Sequence, residues 1–169
     1  MSLAQRIYDA SRLEGEFLLR SGTVATEYFD KYRFEGDPHL LAALLAPLAE
    51  LLPAETEVLA GLELGGVPLA TALSLHSGIP ACFVRKKVKE YGTRRLAEGA
   101  DIAGRRVTVI EDVVTTGGQV ALSTVDLRDR GVIVDTVVAV IDRESGGRAA
   151  LAEIGLELRA LYTMTDLRG

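Results

Sequence analysis

Apolar positions divide the chain into segments whose spacing alternates between that of an amphipathic helix and that of a buried strand. In the first third, apolar spacing and turn residues predict helices over 2–14 and 38–50 and strands over 17–20 and 28–32. Ser2 is the expected cap of the first helix and Gly15 its expected end, whereas Asp37 followed by Pro38 begins the second. The first third is therefore predicted to mix helices with short strands.

From residue 57 onward, strands and helices alternate regularly. The predicted strands are 57–62, 81–84, 106–110, 132–141 and 156–162, and the predicted helices are 67–76, 117–130 and 147–153. This alternation indicates an α/β fold with a mostly parallel sheet flanked by helices. Because no linker, repeat or low-complexity tract interrupts the pattern, we expect a single domain over 1–169.

Glycine and charged residues gather where the predicted parallel strands end. Ligands of such sheets bind outside the carboxyl ends of the strands. That rule selects four places: 63–66, the segment from Arg85 onward, 111–119 and 142–147. We expect these four loops to meet at one edge of the sheet and to form the binding face.

Composition and cysteine usage limit the class of protein. Hydrophobic residues make up 48% of the chain and charged residues 25%, which is typical of a folded globular protein. No apolar run reaches the roughly 20 residues of a membrane span, and residues 1–12 lack the apolar core of a signal peptide. Cys82 is the only cysteine and cannot form an internal disulfide. We therefore expect a cytoplasmic protein that does not bind membranes.

The charge is distributed unevenly along the chain. The formal net charge is -5, which argues against a nucleic-acid partner. The stretch 85–106 nevertheless contains eight basic residues and three acids, which gives it a charge of +5 and leaves -10 for the rest. Such a segment is either a solvated surface loop or the contact for a local anionic ligand.

The segment 107–119 combines a buried strand, two adjacent acids and a Thr/Gly loop that opens a helix. Backbone N–H groups at a helix N-terminus bind phosphate, and glycines let the backbone approach it closely. Glu111 and Asp112 stand one loop away, about the distance from a phosphate to the hydroxyls of the ribose that carries it. An ordinary strand–turn–helix is the alternative, but turn chemistry does not require two acids beside a buried strand. Neither a Walker loop nor a GxGxxG motif is present.

This segment resembles the motif with which type I phosphoribosyltransferases bind phosphoribosyl pyrophosphate (PRPP). The resemblance implies that Glu111 and Asp112 hold the ribose hydroxyls, with Mg²⁺ nearby and held mainly by PRPP itself. It further implies a PRPP-binding loop made of Val113, Val114, Thr115, Thr116, Gly117, Gly118 and Gln119, in which 115–119 surround the 5′-phosphate. It also implies the fold of that family, with a small N-terminal hood over about 1–36.

The basic segment is similar to the catalytic loop of orotate phosphoribosyltransferases. It runs Arg85-Lys86-Lys87-Val88-Lys89-Glu90-Tyr91-Gly92, with Glu98-Gly99 downstream. The resemblance implies that Arg85, Lys86 and Lys89 neutralise the departing pyrophosphate and that Lys89 is catalytic together with the acidic pair. Tyr91 stands where many members have histidine, and it can donate a hydrogen bond to phosphate but carries no positive charge at neutral pH.

Two further segments resemble the orotate site of the same family. The resemblance implies that Arg20, Tyr28 and Phe29 of the hood contact orotate together with Thr115, and that Arg143 binds its carboxylate. An arginine pairs with a carboxylate through two parallel hydrogen bonds, although Arg143 could instead form a surface ion pair with a neighbouring acid. One segment departs from the pattern, because Leu64-Gly65-Gly66 stands where many members have Tyr-Lys-Gly.

Taken together, the resemblance implies an enzyme that converts orotate and PRPP into orotidine 5′-monophosphate and pyrophosphate during UMP biosynthesis. It also implies a homodimer in which the catalytic loop of one subunit reaches the site of the other. A phosphoribosyltransferase for a purine or for uracil would share the PRPP motif. A non-catalytic PRPP sensor would need a nucleic-acid surface, which the acidic composition does not favour.

Overall fold

A computed structural model describes residues 1–19, 22–86 and 96–169 of the chain. The helices are α1 (Leu3–Ser11), α2 (Tyr32–Glu35), α3 (Pro38–Glu50), α4 (Gly66–Ser77), α5 (Gly118–Arg128), α6 (Gly147–Glu153) and α7 (Met164–Arg168). The strands are β1 (Arg12–Leu18), β2 (Val24–Phe29), β3 (Val58–Leu62), β4 (Ala81–Val84), β5 (Ala97–Gly99), β6 (Arg106–Val114), β7 (Ile133–Asp142) and β8 (Glu157–Thr163). Across this described part of the chain, no helix has the length and apolar character that a membrane crossing requires.

A six-stranded sheet forms the centre of the fold, in the order β5-β4-β3-β6-β7-β8. Its strands pair in parallel except β5, which runs antiparallel to β4 at the edge. The predicted α/β class with a mostly parallel sheet is therefore confirmed. Parallel strands need crossover connections, and the helices between them supply these.

Helices cover both faces of the sheet, so that the central strands are buried on both sides. In β3 every residue is buried, and alternate side chains enter different clusters: Val58 and Leu62 pack with Leu127 of α5, whereas Leu59 packs with helices α3 and α4. Each fully buried leucine of this kind contributes roughly 1.5–3 kcal/mol relative to an exposed one. These two apolar layers hold the sheet edge that carries the candidate site.

The N-terminal elements differ from the prediction. Ser2 caps α1, as expected, by accepting a hydrogen bond from the Gln5 backbone, but the helix ends at Ser11 rather than near residue 14. Arg12 already pairs with Phe29 in an antiparallel ladder between β1 and β2, so the helical spacing up to residue 14 was misleading. The predicted strand over 28–32 likewise ends at Phe29, because Tyr32 begins α2. Cross-strand pairing here overrides a local helical preference.

Three other elements were not predicted as they occur. Strand β6 continues to Val114 instead of stopping near Ile110, because its last residues pair with β7 as far as Asp142. The short strand β5 lies inside the basic segment and pairs with β4, and α7 follows β8. The boundaries of α3, α4, α6, β3, β4, β7 and β8 agree with the prediction within one or two residues.

Candidate active site

The four predicted loops follow strands β4, β3, β6 and β7, which are neighbours in the sheet. Their carboxyl ends therefore meet at one edge, as expected. Two of the loops are joined directly, since the Lys86 backbone donates a hydrogen bond to the Glu63 carboxylate. A Cβ at Gly66 would lie 2.2 Å from the Ile110 carbonyl oxygen, so only glycine lets α4 begin this close to β6.

The acidic pair lies inside β6 rather than at its end, which corrects the expected position of both residues. Asp112 is fully buried, and its Oδ2 is 2.6 Å from the Nζ of Lys31. Its Oδ1 accepts a hydrogen bond from the Val113 backbone at 2.5 Å. The Oε1 of Glu111 accepts a hydrogen bond from the Asp112 backbone at 3.0 Å. Both carboxyl groups are thus held in defined positions at the floor of the site.

A third carboxyl group, that of Glu35, lies beside this pair, and the pKa values of the three are shifted in different directions. Burial and the adjacent Asp112 raise the pKa of Glu35 to about 9. The same two causes raise the pKa of Glu111 well above its usual range. Burial alone would raise the pKa of Asp112, but hydrogen bonds with Glu111, Glu35 and Lys31 outweigh it and lower that pKa. Together, burial and mutual contact therefore shift the pKa of Asp112 downward and those of Glu35 and Glu111 upward.

The phosphate loop connects β6 to α5 with its backbone held from behind by α6. Gly117 adopts a left-handed conformation, with φ of 76°, and α5 begins at the next residue without a side-chain cap. The backbone N–H of Gly147 donates to the Thr115 carbonyl at 3.1 Å. A cavity of about 130 Å³ faces this loop and is lined by Glu111 and residues 113–120. The first N–H groups of α5 therefore lie beside an open cavity with the shape of an anion site.

A second cavity, of about 330 Å³, adjoins the first. It is lined by Leu19, Glu27, Tyr28, Phe29, Asp30, Lys31, Tyr32, Val113, Thr115 and Arg143. Because Val113 and Thr115 line both cavities, the two share a wall. The Arg143 guanidinium lies 5.8 Å from the centre of the Phe29 ring. A larger cavity of about 550 Å³ opens beside β5 and α5, but none of the predicted site residues lines it.

The alternative in which Arg143 pairs with a neighbouring acid does not occur. Asp142 accepts a hydrogen bond from Arg148 at 3.2 Å. Glu144, whose φ is 56°, accepts hydrogen bonds from the backbone and hydroxyl of Thr165 at 2.9 Å and 2.6 Å. Both carboxylates are thereby engaged, and Arg143 remains directed to the aromatic wall of the cavity.

Comparisons with known proteins agree with this geometry. A family model described as the phosphoribosyl transferase domain matches residues 39–152. An orotate phosphoribosyltransferase of Nocardioides sp. (strain JS614) is 56% identical over 166 residues, which covers 98% of this chain and 93% of the relative. The chain belongs to the orotate phosphoribosyltransferase family. The resemblance inferred from its motifs is therefore confirmed.

Solved structures of the same family share the fold over nearly the whole chain. The orotate phosphoribosyltransferase of Mycobacterium tuberculosis H37Rv, in complex with inorganic phosphate, superposes with a TM-score of 0.88 at 32% identity and covers 99% of this chain and 96% of its own. A structure of that enzyme in complex with PRPP gives a TM-score of 0.84 at 31% identity, with 99% of this chain and 97% of that one covered. The type I fold inferred from the sequence is thus confirmed.

The structure brings most of the predicted residues of this family to the two cavities. Glu111 and the 113–119 loop line the cavity of about 130 Å³. Tyr28, Phe29, Thr115 and Arg143 line the cavity of about 330 Å³. Arg85 is half-buried at the end of β4, and Lys86 is exposed beside it. The predicted residues Arg20, Lys89 and Tyr91 lie outside the described residues.

Two residues of the cluster, Lys31 and Glu35, were not identified from the sequence. They lie next to α2 and within it, four positions apart, but the motif they contact is in β6. Their spacing suggests only a local helix pair. Only the packing of α2 against the sheet edge shows that both reach Asp112.

Proposed function

We propose that the protein transfers the phosphoribosyl group of PRPP to orotate, releasing pyrophosphate and forming orotidine 5′-monophosphate for UMP synthesis. One observation carries the proposal: the cavity at the N-terminus of α5 shares a wall with a second cavity, in which Arg143 lies beside the Phe29 ring. That arrangement suits a sugar phosphate and an anionic base held side by side.

The 5′-phosphate of PRPP would bind the loop 115–119. Its oxygens would accept hydrogen bonds from the first N–H groups of α5 and from the hydroxyls of Thr115 and Thr116, both of which are exposed. Val113 and Val114 would support the loop from β6, and Gly117, Gly118 and Gln119 would complete the phosphate site. In this position the ribose would lie over the acidic pair. Glu111, which lines the cavity, would accept hydrogen bonds from its hydroxyls, and the buried Asp112 would orient Glu111 through its backbone N–H.

The site suits Mg²⁺ bound through the substrate. Among residues 1–19, 22–86 and 96–169, no group of three or more His, Cys, Asp or Glu side chains is arranged to hold a metal ion. Mg²⁺ commonly keeps water and substrate phosphate oxygens as ligands, with few from the protein. PRPP would therefore hold the ion, which when bound neutralises charge on the pyrophosphate.

Departure of pyrophosphate leaves positive charge at C1 of the ribose and negative charge on the leaving group. Arg85, Lys86, Lys89 and Tyr91 would stabilise that negative charge, and they would do so more strongly in the transition state than in the bound substrate. We expect Lys89→Ala to lower kcat far more than it weakens PRPP binding. An equal loss in both would argue against this catalytic role.

The cavity of about 330 Å³ would bind orotate. Tyr28 and Phe29 form its aromatic wall, and Thr115 also lines it. Arg20 would contact the base from the hood, and Thr115 would contact it where it meets the ribose. Arg143 would pair with the carboxylate, because neither of its neighbouring acids engages it. A carboxylate thus distinguishes orotate from uracil and purines in this site.

We further propose a cytoplasmic homodimer with shared active sites. The basic segment would complete the site of the partner subunit, so that each site combines two chains. Mixing Lys89→Ala subunits with Asp112→Asn subunits tests this, since heterodimers would regain one intact site. Absence of any recovered activity would refute shared sites.

The function itself is tested by mixing the protein with Mg²⁺, PRPP and orotate and following the loss of orotate absorbance. Uracil, hypoxanthine and adenine serve as parallel substrates. Turnover of orotate alone would support both the reaction and the role of Arg143. Turnover of another base would retain the PRPP site and overturn the base assignment. PRPP binding without turnover of any base would favour the alternative of a non-catalytic PRPP sensor.

A further inference from the structure

Within residues 1–19, 22–86 and 96–169, Lys31 is the cation that pairs with Asp112, yet it belongs neither to the phosphate-loop segment nor to the basic segment. It immediately precedes α2 and lines the cavity of about 330 Å³. Its Nζ is 2.6 Å from Asp112 Oδ2. The Lys31 side chain is 34% exposed and that of Asp112 is completely buried. One end of this ion pair therefore faces the ligand cavity and the other lies in the protein interior.

Gly65 provides the space that the Asp112 carboxylate occupies. A Cβ built on Gly65 would lie 1.7 Å from Asp112 Oδ2 and 2.3 Å from its Cγ. No side chain at position 65 is compatible with this orientation of Asp112, because real Cβ contacts shorter than 3.0 Å are essentially never seen. Gly65, which departs from the family pattern, thus leaves the space that the Asp112 carboxylate needs in this orientation.

The opposite side of the same carboxyl group is also occupied. Its Oδ1 accepts the Val113 backbone N–H at 2.5 Å, and the buried Glu35 carboxyl group lies nearby. The Asp112 carboxylate is therefore held by Lys31 Nζ at one oxygen and by the Val113 N–H at the other, in the space beside Gly65. Among these partners only Lys31 supplies a positive charge, and removing it would leave a buried carboxylate without a counter-ion.

We propose that Lys31 is a positioning residue for phosphoribosyl transfer, which holds the Asp112 carboxylate against Gly65 and so sets the acidic pair for the ribose. The inference rests on the proposed function, in which the acidic pair holds the ribose. Lys31 itself need not touch PRPP. Its effect passes through the orientation of one carboxylate.

Lys31 and Gly65 are distant in sequence, but both lie against the Asp112 carboxylate. Lys31→Met removes the charge that holds Asp112, and Gly65→Ala fills the space where Asp112 lies. Both changes displace the same carboxylate, so the losses in kcat/KM for PRPP that they cause should be less than additive in the double variant. Residues that contribute separately to stability would show additive effects.

The experiment compares Lys31→Met, Lys31→Arg, Gly65→Ala and the double variant Lys31→Met/Gly65→Ala. Arg106→Met is the matched control, because Arg106 is an exposed cation at the other end of β6 that pairs with Asp135 at 3.4 Å. Steady-state kinetics give kcat and KM for PRPP and orotate. Calorimetric titration with PRPP and Mg²⁺ measures binding without the base, and thermal unfolding measures stability.

We expect Lys31→Met to lower kcat/KM for PRPP by about 10- to 100-fold, the range expected when a hydrogen bond to a charged group is lost. KM for orotate should change much less. Lys31→Arg should restore most of the loss, the double variant should be no worse than the more impaired single variant, and Arg106→Met should match the parent protein.

Several outcomes would overturn the proposal: unchanged PRPP kinetics in Lys31→Met, additive losses in the double variant, or a lower melting temperature without a change in PRPP binding. If Lys31→Met does not fold, Lys31→Gln takes its place, and normal PRPP kinetics in that variant would be equally decisive. Failure of the parent protein to use orotate would instead refute the proposed function, while the PRPP titration would still test Lys31.

Discussion

Gly147 supports the phosphate loop from behind and touches no substrate in the proposed arrangement. It is the first residue of α6, and its N–H donates to the Thr115 carbonyl oxygen at 3.1 Å. A Cβ in Gly147→Ala would lie 2.5 Å from that oxygen and 2.8 Å from Val114 Cγ1. Ordinary contact begins near 3.4 Å, so the loop would have to move by about 0.9 Å to relieve the overlap.

Such a displacement has two separate consequences. Overpacking of this kind typically destabilises a protein by about 1–3 kcal/mol. A misplacement of about 1 Å at a reacting site can also cost on the order of 100-fold in rate. Because the displaced loop carries the phosphate site, we expect KM for PRPP to rise by about 10- to 100-fold.

The assay is orotate-dependent loss of absorbance at varied PRPP, together with thermal unfolding. Ala149→Gly is the control, since it changes one methyl group at an exposed position of the same helix and lowers stability by about 1 kcal/mol through helix propensity alone. Its KM for PRPP should equal that of the parent protein. A folded Gly147→Ala variant with a normal KM for PRPP would refute the coupling between α6 and the phosphate loop.

Three further predictions concern the base, the acidic cluster and the cysteine. Arg143→Met should raise KM for orotate while KM for PRPP stays constant, and equal changes in both would contradict its role. The folded-state pKa of Glu35 is raised from 4.5 to about 9, so its contribution to stability is present at low pH and is lost as pH rises through that window. Glu35→Gln stays neutral, so its melting temperature should fall less between about pH 6 and pH 9 than that of the parent protein. Parallel pH profiles of the two melting temperatures would contradict this. Burial raises the pKa of Cys82 to about 12, so iodoacetamide should label it only after unfolding, and fast labelling of the native protein would show that the core opens.

The elements that the sequence predicted well are those with strong local signals. Asp37 and Pro38 define the start of α3, and the β-branched run around Val137 forms a central strand. The Thr/Gly loop lies at a strand end because Gly117 permits the left-handed turn into α5. These features depend on neighbours in the chain, which is why spacing and residue type suffice.

The residues predicted wrongly or overlooked depend on partners far along the chain. Helix α1 ends before Arg12 because Arg12 pairs with Phe29 in the β1–β2 ladder. Strand β6 extends to Val114 because its last residues pair with β7. No spacing rule links Lys31 to Asp112, since that contact exists only when α2 packs at the sheet edge. The sequence by itself thus determined the fold class, the family motifs and the phosphate loop. The tertiary structure alone decided the direction in which the pKa of each carboxyl group is shifted, because burial and contact between distant segments cause those shifts.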